Sequence, residues 1–168
     1  HDPASQSILI TDDAGFARMV GDAIDLQLIS LPTAKVAKAS WDVHGVMIVV
    51  EHLDDAVALA NRLAAEHVEL AVAEPEALFA KLRHAGSVFL GRHTPEAIGD
   101  YMAGPNHVLP TGRRARFASG LSALDFMKRT SFIEASEDAL CTLGPATIAL
   151  AEAEGLPAHA ASVSMRLK

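Results

Sequence analysis

VMIVVEHLDDAVALANRLAAEHVEL, residues 46–70, decides the fold. Val46–Val50 is an unbroken apolar run rich in β-branched side chains. Such a run predicts a strand buried in a parallel sheet and covered on both faces. The period then changes. Over residues 54–65 the apolar positions Val57, Leu59, Ala60 and Leu63 fall on one side of a helix. Val68–Val72 returns to strand character. A strand, a helix and a strand in succession predict a parallel βαβ unit.

The same alternation extends in both directions. Upstream, residues 7–11 (SILIT) form a short strand pattern, and Asp12–Asp13 precede a helix marked by Phe16, Met19, Val20, Ile24 and Leu28. Leu31–Pro32 ends it, and a second helix is expected from Thr33 through Trp41. Downstream, Pro75 opens a helical pattern (EALFAKLRHA), because proline suits the first helical position. Residues 87–90 (SVFL) read as a fourth strand between Gly86 and Gly91. Thr94, Pro95 and Glu96 read as the cap and first positions of a short helix leading into Asp100. After Thr130 strand signals cease, and residues 134–154 and 157–168 read as helices. The expected class is α/β: a Rossmann-like body of parallel βαβ units over residues 1–131, followed by a helical tail over residues 132–168.

Composition narrows the function. Fourteen Lys and Arg against 21 Asp and Glu give a formal charge of −7, with one Trp and one Tyr. An acidic chain so poor in aromatic residues is not built for nucleic acid. No apolar run is long enough to span a bilayer, so neither nucleic acid nor membrane is expected as a partner. A single cysteine, Cys141, excludes an internal disulfide and fits a reducing cytoplasm. Cys141 and the five methionines are expected to pack in the core. No glycine-rich phosphate loop follows a strand, and the serine-hydrolase elbow G-x-S-x-G is absent.

Chemistry concentrates in a few places. Residues 99–131 set Asp100, Asn106 and His107 among Gly99, Gly104, Pro105, Pro110, Gly112 and Gly120. Polar side chains on loop-forming backbone are common at functional sites. Glu66-His67 lies where a helix meets a strand, and a carboxylate beside an imidazole suits acid–base work. Asp100 offers a short carboxylate to a cation, or a turn cap. The eight histidines have no finger-type spacing, so any metal site must be assembled by the fold. On one continuous helix Glu154 and His159 would point about 140° apart, but Gly155 and Pro157 break the helix between them and let both face one spot. Arg113, Arg114 and Arg116 read as a solvated or carboxylate-paired loop.

Several of these motifs occur together in one enzyme family. AGPNHVLPTGRRARFASGLSALDFMKRTS (103–131), AEHVEL (65–70), GDY (99–101), EGLPAH (154–159) and HDP (1–3) closely resemble histidinol dehydrogenase, and the likeness runs along nearly the whole chain. The resemblance implies that Glu66 and His67 carry acid–base catalysis. It implies zinc (Zn2+) ligation by His1, Asp100 and His159, and binding of L-histidinol by His107, Glu154, Asp100 and His159. It implies NAD as the hydride acceptor, with the NAD contacts unassigned, and a homodimer whose C-terminal tail crosses to the partner. Ala65 stands where the family usually has proline. The chain starts at the family's zinc-binding histidine, so a glutamine ligand and an N-terminal portion are expected upstream, and the isolated chain is expected to be inactive. Two alternatives stay open: a related zinc- and NAD-dependent dehydrogenase of another small polar alcohol, and a non-catalytic metal-binding or dimerisation fragment.

Overall fold

The computed structural model describes residues 2–167. The chain divides into two compact units, His1–Phe126 and Met127–Lys168.

The first unit runs β1 (Ile8–Thr11), α1 (Ala14–Ser30), α2 (Ala34–His44), β2 (Val46–Val49), α3 (Leu53–Leu63), β3 (His67–Leu70), α4 (Pro75–Phe79), β4 (Ser87–Leu90) and α5 (Glu96–Tyr101). The strands pair in parallel as expected of an α/β fold: Ile8 to Thr11 lie beside Val46 to Val49, and His67 to Leu70 beside Ser87 to Leu90. They form two separate two-stranded ladders, β1–β2 and β3–β4. Each pair is joined through helices, because a parallel partner cannot be reached by a tight turn.

Local chemistry sets the boundaries. Asp13 caps α1, its Oδ1 accepting the Gly15 and Phe16 N–H groups at 2.7 and 3.0 Å. Ala64 ends α3 in the left-handed region at φ 50°. The Asn61 Oδ1 accepts the N–H groups of Arg83 and His84 at 2.7 and 3.1 Å. These two bonds pin the segment after α4, and the helix ends at Phe79, well short of the sequence expectation. Thr94 does not cap α5: its hydroxyl donates to the Leu90 carbonyl at 2.8 Å, and Pro95 takes the cap position.

Burial departs from the sequence expectation. Val46, Met47 and Val49 are exposed, so β2 is not covered on both faces by the described residues. The buried apolar set is small: Ala17, Val57, Ala64, Phe89 and Ala115 in this unit. Two ladders of two strands offer little depth, and no large side chain among the described residues is fully enclosed. Two hydroxyls are buried and both are used. Thr11 Oγ1 accepts the Asp13 N–H, and Ser40 donates to the Ser5 carbonyl.

The second unit is a helical pair, α6 (Glu137–Ala153) and α7 (Pro157–Ser164), capped by Ser136 and turned at Gly155, φ +73°. Gly144 admits the Leu167 side chain, which a Cβ would meet at 2.8 Å. Cys141 is exposed, contrary to the core position expected. Met19, Met102, Met127 and Met165 are also exposed, so the methionines are not core packing. Two helices share only one seam and leave most of their circumference uncovered. No helix among the described residues is long and apolar enough to cross a membrane.

Candidate active site

The β3–β4 pair presents two unlike faces. Side chains alternate along a strand, so His67 and Glu69 share a face with their cross-strand neighbours Ser87 and Phe89. Val68, Leu70, Val88 and Leu90 point the other way. Helix α5 lies against the polar face. Gly99 makes the approach feasible, because a Cβ there would stand 2.5 Å from the Phe89 ring. Glu69 fixes the near end of α5, its Oε1 accepting the Glu96 N–H at 2.6 Å.

His67 sits under this helix. Its ring centroid is 5.9 Å from that of Phe89, tilted by 37°. The Nε2 atom is 3.6 Å from Glu96 Oε1 and 3.8 Å from Asp100 Oδ1. It is shut off from solvent and has no hydrogen-bond partner among the described residues. Burial pushes the Glu96 carboxyl above its usual range. Hydrogen bonding to Asp100 and the charge of Asp100 push the same way, while His67 opposes them. Two carboxyls at such range can share one proton.

His67, Glu96 and Asp100 each offer one ligand atom, and the three atoms lie within 4.8 Å of one another. An imidazole nitrogen with two carboxylate oxygens is a donor set that a divalent cation accepts. With no partner among the described residues, Nε2 can either bind such an ion as a neutral nitrogen or, when protonated, donate to a carboxylate.

The loop after α5 completes the surroundings. Asn106 Oδ1 accepts the Val108 N–H at 2.7 Å, forming a tight polar turn beside His107. The Val108 carbonyl accepts the Leu121 N–H at 2.9 Å, which ties this loop to residues 120–121. A space of about 10 Å³ lies between His67, Phe89, Asp100 and His107, on the scale of one water molecule. It shares Ser87, Pro105, Asn106 and Leu109 with an open cleft of about 550 Å³ that runs toward Phe126. That volume falls in the range of small-molecule sites.

The sequence-derived residues are therefore placed as follows. His67, Asp100 and His107 line one cavity. Glu66 is half-buried immediately before β3, its carbonyl accepting the Ser87 N–H at 2.8 Å. Asp100 stands on helix α5 and not in a turn. Glu154 and His159 belong to the second unit, exposed on either side of Gly155. His1 lies outside the described residues. Arg113, Arg114 and Arg116 are exposed, as expected of a solvated loop, and Arg113 and Arg116 each also donate to the Arg62 carbonyl at 2.6 Å, clamping the end of α3. Glu96 was missed. Its signal was the spacing to Asp100, four residues on, which puts two carboxylates on one helical face.

Comparison with known proteins bears on this arrangement. The sequence profile of the histidinol dehydrogenase family matches residues 1–167. Histidinol dehydrogenase of Zymomonas mobilis is 62% identical over 167 residues, covering 99% of this chain and 39% of that protein. Histidinol dehydrogenase 1 of Trichormus variabilis is 56% identical over 168 residues, with 100% and 39% covered. The crystal structure of histidinol dehydrogenase from Elizabethkingia anophelis superposes with a TM-score of 0.92 at 36% identity, covering 99% of this chain and 38% of that one. The chain thus spans about two-fifths of the length of the relatives it matches. With its sequence matched almost end to end and its backbone superposing on a solved member, this chain belongs to the histidinol dehydrogenase family.

Proposed function

We propose that this chain carries the acid–base part of an enzyme that oxidises L-histidinol to L-histidine through the aldehyde, with NAD accepting hydride in both steps. The observation that carries the reading is His67: a half-buried imidazole beside carboxylates that lines a cavity with Asp100 and His107. In the first oxidation His67 takes the hydroxyl proton of the alcohol. In the second, Glu66 and His67 take a proton from the water that adds to the aldehyde. His107 and Glu154 hold the polar end of the substrate.

Zinc, when bound, anchors the substrate's imidazole and amine. His1, Asp100 and His159 are the ligands we assign, two imidazoles and a carboxylate of the kind zinc accepts. Residues 1–131 form the body, and residues 132–168 the tail that crosses to a second subunit in a cytoplasmic homodimer. For NAD we assign no contact in this chain. The turns after β1, β2 and β3 carry Asp12, Asp13, Glu51 and Glu74, and carboxylates there oppose a diphosphate.

The test is stoichiometric. A full-length enzyme carrying this sequence should form two NADH for each L-histidinol consumed, with histidine as product. One NADH per alcohol, or turnover of other small polar alcohols in preference to histidinol, contradicts the reading. The crossed tail has its own check. Asp100→Ala and His159→Ala subunits, mixed and exchanged, should recover zinc binding at about half occupancy, because one of two sites is then intact. No recovery after verified exchange removes the shared site.

A further inference from the structure

We infer that Glu96 positions the His67 imidazole by accepting its Nε2 proton. The inference deepens the proposed function and rests on its assignment of His67 as the acid–base group. A buried N–H left without an acceptor is costly, so a partner close to Nε2 has work to do. Two oxygens are in range, Glu96 Oε1 at 3.6 Å and Asp100 Oδ1 at 3.8 Å. Both stand just beyond hydrogen-bond length, as catalytic contacts often do before substrate arrives.

Their surroundings separate the two. Asp100 lines the small cavity together with His107, and Glu96 does not. A carboxylate facing the cavity is drawn toward whatever binds there and is a poor permanent support for the ring. Glu96 is held by its main chain instead, through the 2.6 Å bond from its N–H to Glu69. Glu69 lies two residues from His67 on the same face of β3. One strand therefore sets both the ring and the residue that reaches it. Phe89, backed by Gly99, restricts the ring from its side. With the proton fixed on Nε2, the lone pair lies on Nδ1. Glu96 acts through His67 and not on the substrate.

The experiment uses the full-length, zinc-loaded enzyme. Glu96→Ala should lower kcat about 10- to 100-fold, as loss of an orienting partner does, with KM for L-histidinol and zinc content close to the parent's. Glu96→Gln keeps an acceptor oxygen and should hold kcat near the parent's. A crystal structure of Glu96→Ala should show the His67 ring turned from its place beside Phe89. If Glu96→Ala proves unstable, Glu96→Leu, of similar volume and without an acceptor, repeats the test. Parental kcat in Glu96→Ala, a loss confined to KM or zinc content, an unmoved ring, or Glu96→Gln falling as far as Glu96→Ala each overturns the inference. His67→Ala in the same assay separates the two levels. If it keeps parental turnover, the acid–base assignment itself fails; if it falls while Glu96→Ala does not, only the positioning role fails.

Discussion

The two strand pairs of the first unit have the same architecture and unlike contents. Each is a parallel ladder of two four-residue strands. In β1–β2 the side chains are almost all aliphatic, and the nearby buried hydroxyls of Thr11 and Ser40 are consumed by local hydrogen bonds. In β3–β4 one face is polar, and a buried imidazole nitrogen has no hydrogen-bond partner among the described residues. Topology does not distinguish the pairs. What distinguishes them is that α5 brings two carboxyls to the polar face, and Gly99 lets it come close enough. The site also lies at the amino end of β3, whereas ligands in open α/β sheets usually sit beyond the carboxyl ends.

This contrast can be broken by substitution. The largest stability effect is expected at Phe89, only 6% exposed. Phe89→Ala should cost about 3–5 kcal/mol in urea unfolding of the full-length protein, whereas Met47→Ala on the exposed β2 should cost about 1 kcal/mol or less, well under the buried-site range. Equal costs would mean that the two pairs are buried alike. Gly99→Ala comes next. Its Cβ must displace the Phe89 ring, and overpacking of this kind costs about 1–3 kcal/mol. An unchanged midpoint would show that α5 does not press on the strand pair. Glu69→Gln weakens a charge-assisted bond on an exposed edge, and about 1 kcal/mol or less is expected. A larger loss would assign Glu69 more than the anchoring of α5.

Much of this was legible in the sequence. The β-branched run at residues 46–50, the helical period that follows and Pro75 at a helix start gave strands and helices close to those observed, and the Glu66-His67 and Asp100 motifs pointed to the cavity. Two kinds of information were not legible. The first is burial: a pattern such as VMIVV reports what a strand can bury, but cover comes from other elements, and Val46, Met47 and Val49 remain exposed. The methionines and Cys141 were misread for the same reason. The second is side-chain competition for backbone groups. Asn61 takes the N–H groups that a longer α4 would have used, Thr94 turns back to Leu90, and the arginines find a carbonyl on α3. Glu96 escaped notice because its importance lies in a contact with His67, 29 positions away in sequence (96 − 67 = 29), that only the fold creates.

The central claim is that chemistry resides on the β3–β4 face and not on its architectural twin. Steady-state NADH formation from L-histidinol tests it most directly, measured on the full-length enzyme carrying His67→Ala and, in parallel, Met47→Ala, with zinc content determined for both. We predict a fall in kcat of about 10²- to 10⁴-fold for His67→Ala with zinc retained, and parental kcat for Met47→Ala. A His67→Ala enzyme that turns over within a few-fold of the parent would contradict the account.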